Sequence, residues 1–173
     1  MAETEIKSVL EEELKTNMKQ EIKTEVENVS LFTALRYGRI ACNVSLALIA
    51  LIAIIAHRNP SGIFAIIVYN GIHAFLVSLF QRYREQKFLL SSLRFHYNFN
   101  YSEMLAGQLS LLVGLLFMFM FGYLFLNSFG ISNINIFLGF VPFICLIVTV
   151  GIRYISYFVI RNDIKDKLLY GKY

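Results

Sequence analysis

Between residues 104 and 152 the chain carries no Asp, Glu, Lys or Arg, a run of 49 residues. At about 1.5 Å per helical residue and roughly 20 residues per crossing, such a run holds two membrane spans and a turn. The polar cluster Asn127, Ser128, Gly130, Ser132, Asn133 and Asn135 marks that turn. Two further uncharged runs, 40–56 and 59–81, are parted by His57 and Arg58. The expected fold is all-α: a polytopic membrane protein of four transmembrane helices arranged as two antiparallel hairpins. Spans are expected at 40–56, 61–81, 104–126 and 136–158 of a membrane domain covering 39–160. A cytoplasmic amphipathic helix and its interfacial approach occupy 1–38, a cytoplasmic connection 82–103, and a short cytoplasmic tail 161–173.

Composition agrees: 57% of residues are hydrophobic and 16% charged, an unusual balance for a soluble domain. The charge is also segregated. Residues 1–30 hold eight glutamates and four lysines, net −4, so the remainder is net +8. The basic excess lies beside the apolar runs, where it acts as a topology signal and contacts lipid headgroups. No separate basic surface is left to follow a nucleic-acid backbone. The acidic first 30 residues also lack the basic and apolar regions of a cleavable signal.

Lys and Arg number six before the first span, one (Arg58) in the first connection, four in the middle connection, none at 127–135, and five from Arg153 onward. The positive-inside tendency then places both termini and the middle connection in the cytoplasm. The membrane would be the endoplasmic reticulum in a eukaryote and the inner membrane in a bacterium.

In the amino-terminal helix Ile6, Leu10, Leu14, Met18, Ile22 and Val26 recur every four positions. That stripe drifts around a 3.6-residue helix, giving a weak apolar face able to dock a partner or the membrane surface. The middle connection alternates Phe95, Tyr97, Phe99 and Tyr101 with polar residues. An aromatic belt in the membrane interface is the expected role, and an extended segment against the amino-terminal helix the rival. Gly107, Gly114 and Gly122 are candidate helix-packing positions, since small residues let helix backbones approach in lipid. Pro142 removes a backbone bond from span four.

The candidate pore or ligand residues are Asn70 and His73, which share a face near the middle of span two. The plainer reading is an interhelical hydrogen bond to a residue such as Ser110 or Gln108. Arg153 is expected to snorkel, or else to pair with Glu103. Cys42 and Cys145 lack metal-type spacing; Cys42 is a palmitoylation candidate or a buried thiol. No catalytic, cofactor-binding or metal-binding residues are expected, and no cofactor. A lipid enzyme would show several convergent polar groups at the interface.

The expected function is therefore a non-enzymatic structural or accessory subunit of a larger membrane assembly, with the lipid bilayer and membrane proteins as partners. A membrane-shaping hairpin protein is a close variant. The alternative is a homo-oligomeric channel or small transporter with span two lining the path.

Overall fold

The computed structural model describes residues 2–58, 60–81, 98–127 and 132–170, and these residues fold as four α-helices. They are α1 (Ala2–His57), α2 (Ser61–Phe80), α3 (Tyr101–Asn127) and α4 (Ser132–Tyr170). Each contains a segment long and apolar enough to cross a membrane. The helical fold and the four apolar segments follow the sequence. The boundaries do not all follow it.

The amino-terminal helix and the first span are one element of 56 residues, about 84 Å long at the usual rise. Its continuity has a simple cause. No proline occurs in 2–57, and Gly38 is its only glycine, so nothing breaks the ladder. The interfacial approach expected at the end of 1–38 is helical throughout. Likewise span four and the tail through Tyr170 form one helix of 39 residues that carries Pro142 inside it. Ser132, Asn133 and Asn135, expected in the turn, belong to this helix.

Helix ends are settled locally. Arg58 adopts a left-handed φ of 51° and its N–H reaches the Ile54 carbonyl at 2.9 Å, a helix stop that usually favours glycine. Pro60 stands immediately before α2, where its fixed φ and missing N–H suit a helix start. Asn100 caps α3: its Oδ1 accepts the Ser102 N–H at 3.1 Å and the Ser102 hydroxyl at 2.6 Å.

Paired contacts fix the helix directions. Asn43 meets Asn70 and Ala50 meets Gly62, so α1 and α2 are antiparallel. Tyr69 meets Gly114 and His73 meets Ser110, so α2 and α3 are antiparallel too. Gly38 meets Thr149 and Ser45 meets Cys145, which runs α4 antiparallel to α1.

Two cores result. Cys42, Leu46, Tyr69, Met118 and Cys145 fill the apolar section of the bundle. Val26, Val29, Phe32, Leu35, Phe99, Met104, Ile160 and Ile164 form a second core at the charged end. The carboxy-terminal part of α4 is thus folded onto α1: Ile160 is buried there, and so is Ile164 within the expected tail. Around the apolar section, residues such as Phe64, Ile67, Phe75, Leu116, Phe143 and Ile147 point outward. An apolar shell of this extent suits lipid and not water.

Candidate functional site

Asn70 and His73 do share a face of α2, and each bonds to a neighbouring helix, His73 from a buried position and Asn70 from an exposed one. His73 is buried, with Nδ1 3.0 Å from Ser110 Oγ on α3. Ser110 was one of the two partners expected for it. Asn70 donates to Asn43 Oδ1 at 2.8 Å and to the Ile66 carbonyl at 2.9 Å. Asn43 donates back to Asn70 Oδ1 at 3.4 Å and to the Arg39 carbonyl at 3.2 Å. The two amides therefore satisfy each other across α1 and α2, a pairing that sequence spacing alone did not reveal.

His73 is also not isolated mid-bilayer. It reaches a cavity of about 250 Å³ lined, among the described residues, by Phe32, Leu35, Arg36, Arg39, His73, Asn98, Glu103 and Gly107. Arg39 is the last charge on α1 before its uncharged run, so the cavity lies where charge gives way to apolar helix. Arg36 and Arg39 are one turn apart on α1 and neither makes an ion pair to a described residue. Glu103 enters from the first turn of α3 and makes none to Arg153 either; Arg153 is exposed, as snorkelling requires. The cavity residues come from 32–39, 73 and 98–107, three separated stretches, which is why no motif announced them.

The candidate packing glycines divide. A Cβ on Gly107 would stand 3.3 Å from Leu35 Cβ, and one on Gly114 would stand 2.8 Å from the Tyr69 ring. Both are sites of close helix approach. Gly122 lies within α3, but its surroundings fall outside the described residues. The tightest contacts are at glycines not singled out from sequence. A Cβ on Gly38 would meet Thr149 Oγ1 at 2.5 Å, and one on Gly62 would meet Ala50 Cβ at 2.6 Å.

The aromatic alternation also resolves in part. Phe95 and Tyr97 lie outside the described residues. Phe99 is buried against α1, at 5% exposure, with its ring centroid 5.2 Å from that of Phe32. Asn98, just before it, adopts a left-handed φ of 47°. Tyr101 opens α3 and packs, half-buried, on the same core.

Deeper in the bundle Cys42 is fully buried, which leaves a palmitate no access. Cys145 Sγ lies 3.6 Å from Ser45 Oγ. The hydroxyl of Tyr69 is buried without a hydrogen-bond partner. Among the described residues no three His, Cys, Asp or Glu side chains converge as metal ligands. Compared with protein-family models, curated proteins and solved structures, the chain matches none.

Proposed function

We propose that this chain is a non-catalytic accessory subunit of a larger membrane assembly, holding a partner through the projecting end of α1. The observation that carries this reading is the exposure of residues 11–21 on every side of the helix, while the same helix is locked into the bundle from Glu25 onward. Leu14 and Met18, one turn apart, are 63% and 48% exposed there. Apolar residues on an exposed helical arm gain by being covered, at roughly 25 cal/mol per Å² of apolar surface buried.

The chemistry of the arm describes its partner. Residues 1–21 carry six glutamates and three lysines, net −3, so the complementary surface is basic with an apolar strip. With the positive-inside tendency, the arm and both termini stand in the cytoplasm. Deleting residues 1–21 should release the partner and leave membrane insertion intact. Retention of every partner by the truncated chain would remove the reading.

A conduction path along α2 has less support. The polar groups that suggested it are hydrogen-bonded to Ser110 and Asn43 within one chain. A channel requires His73→Ala to alter flux or its pH dependence, and the accessory-subunit reading requires no such effect.

A further inference from the structure

We propose that the cavity between α1, α2 and the start of α3 is a phospholipid-headgroup site, with the phosphate on Arg36 and Arg39 and a headgroup N–H donor on Glu103. The inference is independent of the partner-docking role of α1, since the cavity uses no residue of the projecting arm.

Three features converge. First, a space of about 250 Å³ opens at the charge boundary of the bundle, the level that headgroups occupy. Second, its two guanidinium groups are not neutralised by any described acid. Arg presents planar, forked donors that match phosphate oxygens, and such charge-assisted bonds are stronger than neutral ones. Third, the remaining wall is divided: Phe32, Leu35 and Gly107 are apolar, whereas Glu103 and Asn98 are polar. Apolar wall beside paired cations fits the junction between a phosphate and its glycerol backbone.

Glu103 narrows the ligand further. A carboxylate beside a phosphate site repels a second anion and accepts from a cation or an N–H. Phosphatidylethanolamine supplies both a phosphate and an ammonium with three donors. Phosphatidylcholine has the same charges but no N–H to give. The structure therefore favours the first over the second.

The test is native mass spectrometry of the full chain released from mild detergent containing equal dioleoyl phosphatidylethanolamine and dioleoyl phosphatidylcholine. The intact chain should retain one ethanolamine lipid in preference to choline lipid by about tenfold, the effect of one charge-assisted bond. R36Q combined with R39Q should lose the retained lipid. E103L should keep a lipid but lose the preference, and R153Q, an exposed arginine outside the cavity, should behave as the intact chain. Unchanged adducts in R36Q/R39Q, or an unchanged preference in E103L, overturn the proposal. A parallel sample with 10 mM inorganic phosphate tests the source of the anion. Adducts of phosphate in place of lipid assign the site to a soluble phosphate and overturn the lipid, whereas lipid retained against phosphate supports it.

Discussion

His73 Nδ1 and Ser110 Oγ lie 3.0 Å apart in the buried interface of α2 and α3, and the same hydroxyl is 3.3 Å from the Gly107 carbonyl oxygen. Ser110 has one proton and two neighbours that can take it. Both contacts are satisfied when Ser110 donates to the carbonyl and accepts from the imidazole N–H. The bond then joins two helices that are each apolar enough to cross a membrane.

Its strength should be that of an ordinary bond between helices in lipid. A double-mutant cycle with His73→Ala and Ser110→Ala, read by unfolding in mixed micelles, should return a coupling of about 0.6–1.7 kcal/mol. Additive single effects would mean that the two side chains do not hold the helices together.

Gly62 and Gly71 lie on the same helix and should respond oppositely to a methyl group. At Gly62 the new atom meets the Cβ and Cα of Ala50 at 2.6 and 2.7 Å, and a helix backbone cannot rotate away. Gly62→Ala should cost about 1–3 kcal/mol through overpacking. At Gly71 nothing lies within 4 Å, so Gly71→Ala should be neutral or gain up to about 1 kcal/mol from helix propensity. Thermal unfolding of both variants in one detergent decides it; equal effects would contradict the helix contact.

Tyr69→Phe should not weaken the fold. The ring is fully buried beside Gly114, and its hydroxyl lacks a hydrogen-bond partner. Removing an unsatisfied buried hydroxyl should be neutral or stabilise by about 1 kcal/mol. A clear loss of thermal stability in Tyr69→Phe would show that the hydroxyl is bonded after all.

How far the sequence leads depends on whether a feature is local. The four apolar segments and the helical fold could be read directly, because lack of charge over about 20 residues is a property of the segment itself. The i, i+3 face of Asn70 and His73, and the use of Gly107 and Gly114, were legible for the same reason. Helix continuity through Arg36 and Arg39 was not, since charge next to an apolar run suggests a boundary while the backbone needs none. The cavity was hidden because its walls come from three helices. The burial of Phe99 was not legible because it depends on a contact with Phe32, a residue distant in sequence.

The length of α1 that belongs to the fold can be measured by truncation. Loss of residues 1–21 removes side chains that are exposed along 11–21 and should leave the unfolding midpoint of the bundle unchanged. Loss of 1–30 also removes Val26 and Val29, which are 2% and 0% exposed in the core at the charged end. Two such residues should cost several kcal/mol, enough to lower the midpoint sharply or prevent folding. Equal midpoints for the two truncations would contradict the packing of α1 on α4.

The most direct test of the accessory-subunit proposal compares native masses. The full chain and the chain lacking residues 1–21 would be extracted in mild detergent from their own membrane, and every co-purifying chain identified. The proposal predicts a stoichiometric complex with other subunits for the full chain and its loss on truncation, with insertion unchanged. A homo-oligomer of the same size from both chains would contradict it and return attention to a path along α2.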